Sequence, residues 1–362
     1  MIWEDDKVEE IYVFGKGNYW NYKSEVVKRT YHVIGYIDNN KGETLEVDGV
    51  PVYFPHEIVG NKTMRIAVMV SSKFSAELVL QLLELGVEEQ RIILGGNIEP
   101  FFDAGERLLN QVGGGFIIHD GKMFVHVGEG NYEINNKEEY RDCIRKLAGT
   151  NPFYNAVKKM PVIPISRNYG AEFGKPIDRY YIEKFLEDNR EYIHGDVIEI
   201  EDTTYTKRYG HSLTKCIALH VEDKDDCIKG NFDTGEGINE GMVDCLICTQ
   251  TLQYIYHLEN AVKNIWKMLR PGGTALITMP FLAQYFEGAH SWNDYWRATP
   301  QCLRKVLTEV FGEENITTGS LGNIKTAIGF LYGLCCDDID MGVFDYNDKE
   351  YPVIIYAICH RR

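Results

Sequence analysis

The sequence predicts an α/β protein made of two parallel-sheet units in tandem. Short apolar runs alternate with stretches of helical period at both ends of the chain. A glycine-rich, hairpin-forming stretch between them divides the two series at residues 1–97, 98–160 and 161–362. The length, 362 residues, is enough to bury two separate cores.

In the first series the run Ile11 to Phe14 meets Gly15-Lys16-Gly17, and a second run, His32 to Ile37, ends in Asp38-Asn39-Asn40. A turn at Asp48-Gly49 leads to Val50-Pro51-Val52, then Met64 to Val70 reads as a strand, Ser75 to Leu85 as a helix and Arg91 to Leu94 as a strand. A glycine pair after one strand and an acid ending the next is the weak form of a dinucleotide fingerprint. The third glycine is missing, because Trp20 stands there and obstructs close approach of helix and sheet, so a tight turn is the preferred reading. The pattern "GKG … GYIDNN … GVPVY" resembles the small Rossmann-like accessory domains of bacterial surface-polysaccharide enzymes over residues 9 to 97.

In residues 98–160, Gly113-Gly114-Gly115 precedes two alternating runs, Phe116 to His119 and Met123 to Val127, around Asp120-Gly121. An Asp-Gly between such runs is a hairpin signal. The segment reads as a connector carrying that hairpin and one helix near Lys137 to Leu147.

The second series opens with a helix, Ile177 to Asn189, followed by strands Asp196 to Ile200, Cys216 to Val221, Cys227 to Phe232 and Val243 to Cys248. An amphipathic helix, Leu258 to Leu269, stops at Arg270-Pro271-Gly272-Gly273 and leads into the strand Thr274 to Met279. Helices Pro300 to Phe311 and Ile324 to Leu334, then a final strand Val353 to Cys359 running antiparallel, close the series, and a seven-stranded sheet is expected.

Composition narrows the function. Lys and Arg total 38 against 54 Asp and Glu, and a formal charge of -16 gives no footprint for nucleic acid. No apolar stretch is long enough to span a membrane, and the first residues lack the features of a signal peptide, so a cytoplasmic protein is expected. The nine cysteines are expected to be reduced core thiols, and no set of ligands has metal-site spacing, so no metal is expected. The expected partner is a small molecule or glycan intermediate, and a homo-oligomer is compatible with the sequence.

The stretch "VDCLICTQTLQYIYHLENAVKNIWKMLRPGGTALITMP", Val243 to Pro280, resembles the fourth- and fifth-strand region of class I S-adenosylmethionine (SAM) methyltransferases, of the type 11-like domain. "PIDRYYIEKFL", "VIEIEDTTYTKRYG", "DYWRATP" and "GNIKTAIGFLYGL" resemble a bacterial subgroup of these proteins found among glycan-synthesis enzymes. The resemblance implies a seven-stranded class I methyltransferase sheet, SAM as cofactor, and O-methylation of a sugar or nucleotide-linked intermediate of surface polysaccharide. Two other readings stay open: a catalytically silent scaffold of the same fold, and a nucleotide-sugar or dinucleotide site in the N-terminal unit.

SAM offers a sulfonium, a ribose diol and an adenine, which such sheets bind across their C-terminal strand ends. Here the usual spaced glycines after the first strand are replaced by Glu201-Asp202-Thr203-Thr204-Tyr205, with Glu199 in the strand before them. Alignment puts Ile217 at the ribose-binding acid of the second strand, leaving His220 or Glu222 to substitute, and Asn231 at the third strand end. Gln250 follows the fourth strand, while Arg179 and Tyr169 precede the first. These residues, with Glu201, Asp202 and Tyr205, form the expected cofactor set, Arg179 pairing with a carboxylate. Catalytic candidates for deprotonating a hydroxyl are Asp294, His290 and His257. Tyr295, Trp296 and Arg297 are the expected acceptor-binding residues, rings to stack on a sugar and a cation to take a phosphate.

Overall fold

The computed structural model describes residues 9–98, 109–110, 113–127, 129–285 and 293–362. The chain divides into two compact units, Met1–Met160 and Pro161–Arg362.

The first unit holds β1 (Glu9–Phe14), α1 (Asn18–Thr30), β2 (Tyr31–Ile37), β3 (Glu46–Val47), β4 (Val50–Tyr53), β5 (Arg65–Val68), α2 (Ser72–Glu84) and β6 (Ile92–Leu94). Its sheet has the order β3-β4-β2-β1-β5-β6, parallel except for the β3–β4 hairpin. That hairpin turns at Asp48 and Gly49, both at positive φ, the geometry of a tight primed turn. Trp20 does not hold the helix off the sheet: it is buried and meets the Tyr36 ring edge-on at 5.8 Å. Gly15, at φ +96°, is required, since a β-carbon there would lie 2.5 Å from Val70 Cγ1.

The segment after residue 98 forms more than a hairpin: β7 (Gly115–His119), β8 (Lys122–Val127) and β9 (Gly130–Glu133) make a three-stranded antiparallel sheet, followed by α3 (Lys137–Thr150). It is not a free-standing connector. Met123, Val125, Tyr140 and Leu147 share one apolar cluster with Val79 and Leu82 of α2, because alternate residues of β8 and one face of α3 need cover that two thin elements cannot give each other.

The second unit contains α4 (Ile177–Asp188), β10 (Gly195–Ile200), α5 (Thr204–Tyr209), β11 (Leu213–His220), β12 (Cys227–Lys229), β13 (Val243–Thr249), α6 (Leu258–Met268), β14 (Leu269–Pro280), α7 (Pro300–Phe311), β15 (Ile316–Leu321), α8 (Ile324–Tyr332) and β16 (Ile354–His360). The strand order is β12-β11-β10-β13-β14-β16-β15, with β16 antiparallel to both neighbours and the other pairs parallel. This is the seven-stranded sheet the resemblance implies. Six of its strands are the apolar runs named above. The seventh, β15, is the polar sequence ITTGSL, an edge strand with no apolar run to mark it.

Local signals set the element ends. Thr299 caps α7 by accepting from Cys302 N, with Pro300 at the first helical position, and Asn323 forms a capping box with Thr326 on α8. Helix α8 stops at Gly333, left-handed at φ +81°, where a β-carbon would lie 2.4 Å from Ser166 O. The central strands β13 and β14 are buried almost throughout, which makes them read as continuous apolar runs. Helix α6 buries Ala261, Val262, Ile265 and Met268, one helical stripe, against them.

Candidate active site

Two adjoining cavities open at the C-terminal strand ends of the second unit. The larger, about 790 Å³, crosses the ends of β10 to β13, and the smaller, about 330 Å³, lies between the ends of β13 and β14, the start of α4 and α8. Arg179, Gln250 and Tyr254 line both. A parallel sheet whose crossovers leave on opposite sides of adjacent strands opens a crevice there.

The larger cavity is shaped by the loop after β10. Glu199, 3% exposed, accepts from Tyr205 N at 3.0 Å, Thr206 N at 2.7 Å and Thr206 Oγ1 at 2.8 Å. Glu199 therefore holds the first turn of α5, its charge set against unpaired N–H groups. Burial pushes its carboxyl above the usual carboxylate range, with those three hydrogen bonds pulling the other way.

Glu201 adopts φ +79°, a left-handed conformation that favours glycine. The backbone thus keeps a glycine-type bend where the sequence has no glycine. Its carboxylate meets Lys224 Nζ at 2.9 Å and His220 Nε2 at 3.3 Å. Glu222 N donates to His220 Nδ1 at 3.0 Å, which leaves Nε2 to face Glu201. Asp202 is used locally, its Oδ1 accepting from Thr204 N at 2.7 Å.

Register corrects one alignment. Ile217 pairs with Ile198 in mid-strand, so it cannot reach the crevice, while His220 is the last residue of β11 and stands beside Glu201. Asn231 lines the larger cavity with its Oδ1 accepting from Asp233 N and Thr234 N at 2.8 and 3.2 Å. Gln250, at φ +48°, is fixed by its N–H to Thr278 O at 3.0 Å. Arg179 donates to the Tyr205 hydroxyl at 3.3 Å, and burial raises the Tyr205 hydroxyl above its usual range.

The other candidates divide. Tyr169, expected with the cofactor set, lines only the smaller cavity, stacked on Phe330 at 5.6 Å. Asp294 and Arg297 line that same cavity as a fork pair, Nη1 to Oδ1 at 2.6 Å and Nη2 to Oδ2 at 2.7 Å. The guanidinium also donates to Trp296 O and Gln284 O, so four of its five N–H groups are committed. Arg297 thus holds Asp294, whose side chain is 2% exposed, and presents no free fork to a phosphate.

Tyr295 lines the larger cavity, its hydroxyl accepting from Asn293 Nδ2 at 2.9 Å. Trp296 lines neither; its Nε1 donates to Ile255 O at 2.9 Å and its ring packs on the core. His257 also lines neither. It precedes α6 and pairs with Asp233 at 2.9 Å. His290 lies outside the described residues. Sequence reasoning passes over Tyr254 and Phe330. Tyr254 follows the polar exit from β13, a usable signal, whereas Phe330 sits in an apolar helix that gives none.

Comparison with known proteins adds a local match. Residues 206–277 match the sequence model of a family described as a methyltransferase domain. No curated protein matches the chain. Among solved structures the chain is similar to a SAM-dependent methyltransferase from Archaeoglobus fulgidus, at 12% identity over 50% of this chain and 94% of that one, TM-score 0.35. It is also similar to a putative S-adenosylmethionine-dependent methyltransferase from Listeria monocytogenes, at 9% identity over 51% and 97%, TM-score 0.33.

Proposed function

We propose that the second unit is a SAM-dependent methyltransferase acting on a hydroxyl of a sugar or nucleotide-linked intermediate of bacterial surface polysaccharide. The observation that carries the reading is the large crevice at the strand ends of a seven-stranded sheet, bordered by the segment that matches a methyltransferase domain.

The residues present fit the cofactor's chemistry. Glu201 with His220 offers a carboxylate and a ring nitrogen for a ribose diol, Asn231 offers an amide to an adenine edge, and Arg179 offers a guanidinium to a carboxylate. Glu199 supports the loop from behind. SAM supplies, when bound, an electrophilic methyl group on a cationic sulfur. The chain's own part is to position the acceptor, exclude water and hold the hydroxyl, which is where most of the rate of such a displacement comes from.

Calorimetric titration with SAM and with S-adenosylhomocysteine tests this, and saturable binding of both is expected. No heat and no thermal shift with either would leave a methyltransferase-like scaffold as the better reading.

A further inference from the structure

The two cavities differ in chemistry. Among the described residues that line the smaller one, the charged side chains lie close to countercharges: Arg297 is forked on Asp294, and Asp178 is followed by Arg179. Arg179 is drawn to the larger cavity by its hydrogen bond to Tyr205, which lines only that one. The other described residues of its lining are neutral, with the stacked Tyr169 and Phe330 rings on one wall and Tyr254 on another. Its volume is at the low end for small-ligand sites, roughly 300–1,000 Å³.

One buried acceptor in this wall lacks a donor, and one half-buried carboxylate has only backbone partners. Asp178 is held by the backbone N–H of Arg179, 2.8 Å from Oδ1, and by its own, with no fork pair among the described residues. Gln253 is 4% exposed, donates its amide N–H to Gln250 O at 2.8 Å, and has no partner for Oε1 among the described residues. A buried acceptor without a donor carries a desolvation cost that a ligand O–H removes. Burial holds the Asp178 carboxyl above the usual carboxylate range, against the pull of the neighbouring Arg179 charge and of the backbone hydrogen bonds.

We infer that the smaller cavity receives one neutral, hydroxyl-rich ring, a sugar without phosphate on that ring, and that Asp178 is the carboxylate that accepts from its hydroxyl. Asp294 is then a positioning residue, fixed by Arg297. The inference rests on the reading of the larger cavity as the cofactor site. It narrows the acceptor to the uncharged part of whatever molecule carries it.

The test uses the full chain saturated with S-adenosylhomocysteine, titrated with the methyl α-glycosides of glucose, galactose and mannose and with methyl α-D-glucoside 6-phosphate. At least one neutral glycoside should bind, with the phosphate no tighter, and Asp178→Asn should weaken that glycoside tenfold or more while leaving S-adenosylhomocysteine affinity within about threefold. Asp294→Asn should cost thermal stability before it costs selectivity. Binding of S-adenosylhomocysteine with no response to any neutral glycoside overturns this inference and leaves the methyltransferase reading standing. Tenfold tighter binding of the phosphate, or a glycoside affinity untouched by Asp178→Asn, overturns it too. Failure of S-adenosylhomocysteine to bind counts against the methyltransferase reading, and the same glycoside titration on the unloaded chain still decides the sugar site.

Discussion

Replacing Glu201 by glycine should move two properties in opposite directions. The residue sits at φ +79°, where a side chain costs about 1 kcal/mol relative to glycine. Its ion pair with Lys224 and its contact with His220 Nε2 leave its side chain 48% exposed, so they add little to folding. Glu201→Gly should therefore be neutral or more stable by up to about 1 kcal/mol, a rise of roughly 0–4 °C in melting temperature for a unit of this size. Binding should suffer instead. If the carboxylate accepts from the ribose diol, each charge-assisted hydrogen bond lost is about 1.5–3 kcal/mol, and each 1.4 kcal/mol is about tenfold in Kd. Calorimetry with S-adenosylhomocysteine and a thermal melt on the same sample measure both. Adenosine and 2′,3′-dideoxyadenosine, compared on wild type and variant, isolate the diol: the variant should lose discrimination between them. An unchanged Kd in a protein at least as stable as wild type would refute the assignment of Glu201 to the ribose.

Two further outcomes concern the scaffold. Arg361 lies 3.8 Å from the Trp266 ring centroid and donates to Lys267 O at 3.1 Å, Leu269 O at 2.7 Å and Glu240 at 2.7 Å, closing the C-terminal end of α6. Arg361→Ala should destabilise by about 2–4 kcal/mol in urea titration with little change in cofactor affinity, and a loss below about 0.5 kcal/mol would mean the carbonyls are satisfied by water. His360, hydrogen-bonded to Thr274 at 3.0 Å, has its pKa lowered by burial and then by Arg362. The unfolded ring takes a proton near its ordinary value of about 6.5 while the folded ring resists it, so stability present above that pH is lost as pH falls toward the depressed folded value. His360→Gln should flatten that part of the stability profile as pH falls below about 6.5, and an identical wild-type and variant slope would contradict the shift.

The sequence by itself determined the α/β class, the central strands and the main helices, because each is written in a local pattern. Buried parallel strands such as Val243–Thr249 are continuous apolar runs, α6 carries a helical stripe, and Asp-Gly pairs mark hairpin turns. The edge strand β15 escaped because a strand at a sheet border needs no apolar run. Much of the strand-end crevice was legible as well, since strand ends fix where its loops must lie: Glu199, Glu201, Asp202, Tyr205, His220, Asn231, Gln250 and Arg179 all line the larger cavity. What the sequence left open was what each side chain does there. Glu199 props the loop, Asp294 is locked by Arg297, Trp296 packs the core, and Asp178 rather than Asp294 faces the smaller cavity without a fork partner. These roles depend on strand register and on which residues of distant elements meet, as when Glu201 and His220 stand side by side because Ile200 pairs with Leu219. Periodicity reports which face of an element is buried, whereas the partner of a polar group is chosen by contacts that exist only once the sheet has closed around it.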